Sequence, residues 1–399
     1  MKGTDSSIAR MACALMSVGV VLTAVACSQS PSASAGPPIS STCLTTSAAP
    51  LALAVGVRSD VPQTAFPPAV NTLLTAAATG KQQISLIRID GNPKVFTPAP
   101  FSTTDQNSAA IAQDVSAYIS TTIEPILRGP LHAQVAQADI LTALDLAAGA
   151  AAPNGNIVLI DSGLQTVAPL EYQQQGLLMS PPSDIVSFLK QKNLIPDLKG
   201  RHVLLSGFGY TAAPQASLNL AQRNNVIDQW EAIVAAGGGC VTADPSPNTA
   251  SELAGLPAVA SVPLPPPVVI RACGTTVLGD AGSVGFIVNT ATFRDPSAAD
   301  ATLSQLASGL KRSSEPITLI GSTSTEGGDA INNPLSRSRA EAVKSVLVSM
   351  GIAASRITTI GDGSHWPGRV NDIGPNGQLL PAQAEQDREV IVQLPRCSS

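Results

Sequence analysis

The hydrophobic pattern changes character late in the chain. Up to about residue 243, short apolar runs of strand length alternate with longer stretches of helical periodicity. This alternation predicts a mostly parallel sheet covered on both faces, an open and doubly wound α/β domain. The strands are expected at 51–57, 84–89, 157–160 and 202–205, and the helices at 66–78, 108–127, 134–148, 183–191 and 216–235.

The last part of the chain has a different order of elements. Strand-like runs are found at 284–293, 317–323, 356–360 and 389–394, and helical stretches at 298–311 and 335–350. This β-α-β-α-β-β order predicts an α+β sandwich with its helices on one face of the sheet. The chain is therefore expected to contain two domains of different class.

Two segments without a core-forming pattern separate these regions. Residues 27–47 are rich in Ser, Pro, Ala and Thr and are expected to form a flexible tether. A stiffer, proline-rich linker is expected at 244–272. The predicted domains are therefore 48–243 and 273–399.

The N-terminus has the features of an export signal. Lys2 and Arg10 precede an apolar run at 11–25, which is shorter than the roughly 20 residues that span a bilayer. This predicts a signal peptide at 1–26. Ala24-Val25-Ala26-Cys27-Ser28 resembles the lipobox of bacterial lipoproteins, which implies that Cys27 is diacylated, in the manner of a palmitate anchor, and becomes the new N-terminus. The alternative is an ordinary secreted protein cleaved nearby.

The composition of the chain argues against some classes of binding partner. Charged residues make up 13% of the chain, the net charge is −5 and aromatics are 3%, which argues against nucleic acid and against stacking platforms. In an oxidising compartment, the four cysteines beyond Cys27 predict two disulfides. Three connectivities are possible, and the pairs Cys43–Cys240 and Cys273–Cys397 are favoured because each brackets one predicted domain. Their spacing does not indicate a metal site.

One run in the first region resembles a von Willebrand factor A-like domain. Asn156-Ile157-Val158-Leu159-Ile160-Asp161-Ser162-Gly163 is similar to a strand and loop in which that family places an acidic residue near a divalent cation. The Asp-x-Ser-x-Ser triplet that the first strand should supply is replaced by Val55-Gly56-Val57-Arg58-Ser59. The resemblance therefore implies the fold in degenerate form, without a metal or cofactor. A plain loop turn is the favoured role of Asp161.

The C-terminal region carries a more specific motif. Gly321-Ser322-Thr323-Ser324 is similar to the Gly-His-Thr-Asp loop of OmpA-like domains, and Asp387-Arg388-Glu389-Val390 to their Asn-Arg-Arg-Val ending. Asn332-x-x-Leu335-Ser336-x-x-Arg339-Ala340-x-x-Val343-x-x-x-Leu347 matches their helix motif. Residues 284–394 thus resemble an OmpA-like, peptidoglycan-associating domain.

That resemblance implies recognition of the diaminopimelate residue of peptidoglycan stem peptides. In the family, the helix arginine pairs with a ligand carboxylate and the loop aspartate with its ammonium. Arg339 stands at the arginine position, whereas Ser324 replaces the aspartate. Thr323 and Asn332 complete the implied ligand-binding set, although Asn332 is also expected as a cap or turn residue.

Helical periodicity points to the same arginine. At about 100° per residue, Arg339 falls within the apolar stripe of its helix, where a charge is unfavourable unless it is paired. The pairing group is expected to be an internal carboxylate, such as Asp295 or Glu389, or a bound ligand.

No Ser/His/Asp set or paired carboxylates indicate catalysis. The sequence therefore predicts a non-catalytic cell-envelope lipoprotein that links a membrane to peptidoglycan, with its first domain presented to an unknown protein partner. The alternative is a protein–protein interaction scaffold whose OmpA-like domain no longer binds peptidoglycan.

Overall fold

The computed structural model describes residue 43 and residues 48–62, 66–244, 246–247 and 249–396. The expected signal peptide, Cys27 and most of the expected tether lie outside these residues. Within the described part of the chain, no helix is long and apolar enough to cross a membrane.

A six-stranded sheet organises the N-terminal lobe, which we define as residues 48–243. Its strands are β1 (Leu51–Val55), β2 (Ile84–Arg88), β3 (Lys94–Phe96), β4 (Asn156–Ile160), β5 (His202–Ser206) and β6 (Cys240–Ala243). The strand order is β3-β2-β1-β4-β5-β6, and all pairs are parallel except β2 with β3. The helices are α1 (Pro68–Thr79), α2 (Ser108–Tyr118), α3 (Glu124–Leu127), α4 (Ile140–Ala151), α5 (Pro182–Gln191) and α6 (Leu220–Ala236).

Both faces of this sheet are covered by hydrophobic cores. Leu51, Leu53 and Val55 of β1 pack with α1 and α2, whereas Ala52 and Ala54 pack with α4, α5 and α6. Successive side chains of a strand point to opposite faces, so a strand that is apolar at every position is buried on both sides. The continuous apolar runs that marked the strands in the sequence follow from this burial.

The sequence expectations for the N-terminal lobe agree with most of these elements. The four predicted strands correspond to β1, β2, β4 and β5, whereas β3 and β6 were not predicted. The predicted helix 108–127 is divided into α2 and α3 by a π-helical turn at Ile119–Ile123. The short edge strands escaped prediction because neither has the length or apolar character of the central ones.

The proline-rich segment between the lobes is packed along part of its length. Gln215 bonds the backbone of Val262 from both ends of its side-chain amide, at 2.6 and 3.1 Å. Val262 belongs to the core of the N-terminal lobe, and Ile270 packs on the core of the C-terminal lobe. The segment thus contacts both lobes.

The C-terminal lobe, residues 273–396, is built on a four-stranded sheet. It contains β7 (Thr275–Gly279), α7 (Pro296–Leu310), β8 (Ile317–Ser322), α8 (Asp329–Ser349), β9 (Ile357–Gly361), α9 (Pro381–Gln386) and β10 (Glu389–Gln393). The strand order is β7-β10-β8-β9, and only the pair β8–β9 is parallel. Apolar side chains of α7 and α8 form one core with those of the sheet.

Three sequence expectations for this lobe differ from the structure. The first strand is β7 rather than 284–293, because that stretch turns back on itself through an isolated bridge between Phe286 and Phe293. Helix α8 begins six residues earlier than expected, so Asn332 lies inside it rather than before it. The stretch 364–386, expected to be irregular, ends in α9.

The predicted disulfide Cys43–Cys240 is present, with Cα atoms 5.3 Å apart. Cys273 is disulfide-bonded. Its predicted partner Cys397 lies outside the described residues, so that pairing stays a prediction.

Candidate functional site

Helix α8 places Arg339 on the side that faces the sheet. The buried residues of this helix include Ser336, Arg339, Ala340, Val343 and Leu347. This spacing of three and four residues defines one helix face. The apolar stripe predicted from the sequence is therefore the core-facing side, and Arg339 lies within it.

Close packing of helix and sheet fixes this face. A Cβ added at Gly321 would lie 1.9 Å from the carbonyl oxygen of Ser336, so any larger residue would force the end of β8 away from α8. Ser336 in turn accepts the backbone N–H of Gly363 at 3.0 Å. The glycine of the loop motif is explained by this contact.

The Arg339 guanidinium has few direct partners. Its Nε donates to the carbonyl of Thr290 at 3.0 Å, and its carbon lies 5.1 Å from the centroid of the Phe286 ring. Among the described residues, no carboxylate oxygen lies within 4.0 Å of its nitrogens. Burial lowers the pKa of Arg339 below its usual value, an effect that the more distant charges of Asp280 and Glu385 oppose.

Neither of the two internal carboxylates expected as partners of Arg339 forms an ion pair with it. Asp295 caps α7 by accepting the backbone N–H of Ala298 at 3.0 Å. Burial and the charge of Asp387 raise the pKa of Glu389 to about 7. The structure therefore gives Arg339 neither of these carboxylates as a close partner.

The other implied ligand residues surround the loop after β8. Asn332 donates from its amide to the backbone carbonyl of Ser324 at 3.0 Å, so it holds the loop in place. Thr323 donates its backbone N–H to Gly363 at 2.8 Å, and its buried hydroxyl has no hydrogen-bond partner within the described residues. The hydroxyl of Ser324 accepts from Arg388 at 3.2 Å.

Arg388 connects the loop to two carboxylates. Its Nη2 donates to Asp184 at 2.6 Å, and its Nη1 lies 3.3 Å from Glu385. Burial opposes the charge of Arg388, but Asp184 and Glu385 outweigh that effect and raise its pKa above the usual range. Sequence reasoning had noted Arg388 only as part of a motif and had missed Asp184, which lies 204 residues away in α5.

Carboxyl groups are concentrated around the Asp387-Arg388-Glu389-Val390 segment. Burial and the neighbouring Asp280 raise the pKa of Glu385 to about 8, and burial raises that of Asp387 to about 6. Arg369 binds Asp387 at 2.8 Å and Asp372 at 2.7 Å. Asp372 also accepts from Thr325, so it ties the segment after β9 to the loop after β8.

The carboxyl edge of the six-stranded sheet holds a second buried cluster. Arg58 follows β1 and forms a two-pronged contact with Asp161 after β4, as well as an ion pair with Asp60 at 2.9 Å. Burial opposes the Arg58 charge, but Asp161 and Asp60 raise its pKa above the usual range.

This arrangement does not fit the divalent cation of von Willebrand factor A-like domains. The guanidinium of Arg58 uses the two carboxylates that a cation would need as ligands. Across the described residues, no group of three His, Cys, Asp or Glu side chains is arranged to hold a metal ion. The expectation that Asp161 serves only a loop turn is wrong in part: it accepts from Gly163 as a turn residue does, and it also holds Arg58.

Part of the C-terminal lobe matches a known protein family. The OmpA family matches residues 286–375. Among solved structures, the chain is similar to the periplasmic domain of MotB from Helicobacter pylori, with 15% identity, a TM-score of 0.26, and coverage of 33% of this chain and 82% of that one. It is also similar to the peptidoglycan-associated lipoprotein from Burkholderia pseudomallei, with 22% identity, a TM-score of 0.24, and coverage of 31% and 91%.

Two further similarities complete the comparison. The OmpA-like domain of FopA1 from Francisella tularensis is 17% identical, with a TM-score of 0.24 and coverage of 33% and 82%. The photosystem I P700 chlorophyll a apoprotein A2 of Gloeobacter violaceus is 38% identical over 81 residues, or 20% of this chain, and the match spans 9% of that curated relative's length. The family match itself includes Ser324, Asn332 and Arg339. Residues 286–375 therefore belong to an OmpA family domain.

Proposed function

We propose that this protein is a non-catalytic cell-envelope lipoprotein that associates with peptidoglycan through its OmpA-like domain. A lipid on Cys27 would hold the other end of the chain to a membrane. The proposal is supported by the OmpA family match at 286–375 and by the motif positions within it.

One observation carries the proposal. Arg339 is buried on the core-facing side of α8, yet no carboxylate of the described residues lies within 4.0 Å of it. A planar guanidinium offers two parallel hydrogen bonds to a carboxylate, which suits the side-chain carboxylate of diaminopimelate in a stem peptide. Such a ligand would supply the counter-charge that Arg339 lacks. Thr323 and Ser324 would line the same site, with Asn332 holding their loop.

Sedimentation with purified sacculi tests this function. The full chain should sediment with sacculi that contain diaminopimelate, and Arg339→Ala should abolish this. Arg337→Ala is the matched control, because Arg337 is exposed on the same helix. Equal sedimentation of both variants and the unaltered chain would remove Arg339 from the site.

A second candidate is an interaction scaffold that no longer binds peptidoglycan. Ser324 in place of the loop aspartate favours it, since no side chain at that position can answer a ligand ammonium. The scaffold predicts that the unaltered chain, Arg337→Ala and Arg339→Ala all remain in the supernatant. Affinity capture from envelope extracts should then recover the same protein with all three.

We further propose the domain organisation 1–26, 27–47, 48–243, 244–272 and 273–399, with the N-terminal domain as a doubly wound, degenerate von Willebrand factor A-like domain for a protein partner. Its strand order and the position of Asp161 after β4 support this.

Mass spectrometry of the membrane fraction should find a lipidated peptide that begins at Cys27. Non-reducing peptide mapping should find Cys273 joined to Cys397, and any other partner refutes the pairing.

A further inference from the structure

The two lobes meet at the loop that carries Ser324. Arg388 of the C-terminal lobe donates to Asp184 of α5 at 2.6 Å. Beside this ion pair, the hydroxyl of Ser180 donates to the carbonyl of Pro381 at 2.9 Å, and Gln386 donates to the carbonyl of Gln175 at 2.7 Å. We call these three interactions the closing contact.

Residues of the candidate site and of the closing contact are all buried in this arrangement of the lobes. Exposed fractions are 2% for Asp184, 4% for Ser324, 3% for Arg339 and 8% for Arg388. A stem peptide has to reach Arg339 and Ser324 to bind there. In the arrangement of the lobes seen here little of either side chain is accessible, so binding of a stem peptide to the full chain requires the lobes to separate.

Asp184 and Ser324 share a partner in the C-terminal lobe. Its carboxylate and the hydroxyl of Ser324 bind the same nitrogen, Nη2 of Arg388. The carboxylate absent at residue 324 is therefore present nearby, supplied by the other lobe. Because this carboxylate is held by Arg388, it ties α5 of the N-terminal lobe to the loop that carries Ser324.

Other charges around Arg388 do not replace Asp184. Glu385 is the next nearest carboxyl at 3.3 Å, but burial raises its pKa to about 8, so it is largely protonated at neutral pH. Glu326 lies 3.9 Å away and is mostly exposed. Arg339 has the same sign as Arg388, and the charge of Arg388 contributes to lowering the pKa of Arg339. Without Asp184, Arg388 would be a poorly compensated buried charge.

We propose that the N-terminal lobe holds the peptidoglycan site closed, and that the ion pair of Asp184 with Arg388 maintains this arrangement of the lobes. This inference rests on the proposed function of the OmpA-like domain. Breaking a buried ion pair leaves an uncompensated charge, which favours the state in which that charge meets water. Removal of the Asp184 charge therefore favours separation of the lobes and exposes Arg339 and Ser324.

Asp184→Asn in the full chain tests the closing contact, because it removes the charge and keeps the shape. The affinity for a diaminopimelate-containing stem peptide, measured by calorimetric titration, should rise about ten- to a hundredfold, the range for one charged hydrogen bond. Hydrogen exchange of the amides at 381–388 should become faster in the same variant. Asp145→Asn, on the exposed side of α4, is the matched control and should change neither quantity.

Gln386→Ala provides a second route that leaves the charges intact. It removes one hydrogen bond between the lobes, so a smaller rise in affinity, of roughly fivefold, is expected. Unchanged or weaker peptide binding by Asp184→Asn, with the unaltered chain still binding, would overturn the closing role and leave the proposed function in place. Failure of every variant to bind, despite faster exchange at 381–388, would overturn the proposed function itself.

Discussion

Each lobe buries an arginine, and the surroundings of the two arginines are opposite. Arg58 at the edge of the six-stranded sheet is bound by Asp60 and Asp161, and these carboxylates raise its pKa. Arg339 in the C-terminal lobe has a carbonyl and an aromatic ring as neighbours, and burial lowers its pKa. Depth of burial is similar, so the difference lies in the partners.

The carboxyls near Arg339 are already engaged by other cations. Asp280 binds Arg294 at 2.8 Å, and Glu385 lies 3.3 Å from Arg388. Arg58, by contrast, is bound by both Asp60 and Asp161, so its guanidinium is not available to a ligand. A buried arginine can therefore have its charge balanced within the fold, as Arg58 does, or lack a close carboxylate, as Arg339 does, and the neighbouring carboxylates distinguish the two cases.

Arg58→Ala should have the largest effect. It leaves Asp60 and Asp161 buried without their cation, which destabilises a protein by about 3–5 kcal/mol. Chemical denaturation measures the loss. Arg128→Ala is the control, since Arg128 pairs with Glu124 at the surface and should contribute less than about 1 kcal/mol. Equal losses in the two variants would contradict the structural role of Arg58.

The pH dependence of stability tests whether burial raises the pKa of Glu385 in the folded chain. Its pKa is about 8 in the folded chain and close to the ordinary 4.5 when unfolded, so between these values the folded state keeps a proton that the unfolded state releases. The free energy of unfolding should therefore fall as the pH rises, by about 1.5 kcal/mol from this group between pH 6.5 and 8.

Glu385→Gln should remove that part of the decline. Glu315→Gln, at an exposed position of the same lobe, serves as the control and should leave the decline unchanged. A decline that persists in full in Glu385→Gln would show that another group is responsible.

Arg339→Ala should be much milder than Arg58→Ala. The loss of the hydrogen bond to Thr290 and of the contact with Phe286 is partly offset by removal of a buried charge, so a loss of about 1 kcal/mol is expected. Thermal unfolding at fixed pH measures it. A loss as large as that of Arg58→Ala would indicate that Arg339 is itself a structural partner, and the contrast between the lobes would disappear.

The smallest effect is expected for Ser324→Asp in the otherwise unaltered chain. The new carboxylate at residue 324 and that of Asp184 would then share Arg388, so peptide affinity should change by less than about threefold, or roughly 0.7 kcal/mol. Combined with Asp184→Asn, the same substitution should raise affinity about tenfold or more over Asp184→Asn alone, since a carboxylate next to the ligand ammonium is then free. Peptide titration of both backgrounds decides between these outcomes.

The sequence revealed those features that depend on local pattern. Val55 and Ile160 end two apolar runs, and the runs identified the strands. The partnership of Arg58 with Asp161 was missed, although the register of β1 with β4 aligns Val55 with Ile160 and brings the following residues together. Only the pairing of the strands, which a single sequence does not contain, reveals it.

Other features depended on contacts between distant parts of the chain. Helix α9 has only six residues, too few for a periodic signal, and it is held against the other lobe through Pro381 and Gln386. Strand β7 alternates exposed and buried residues over only five positions, and it was not predicted, because the first strand of this lobe was expected at 284–293. Arg339 was found because both its motif and its helical position indicated it, whereas Asp184 carries no local signal.

Binding of a stem peptide is expected to depend most directly on Arg339. A diaminopimelate-containing stem peptide should be titrated into the full chain with Asp184→Asn alone and with Asp184→Asn plus Arg339→Ala, and the melting temperature of each should be recorded. We predict measurable binding by the single variant and none by the double variant, with melting temperatures that differ by only a few degrees. Equal affinity of the two variants, or a large fall in melting temperature with Arg339→Ala, would contradict the account.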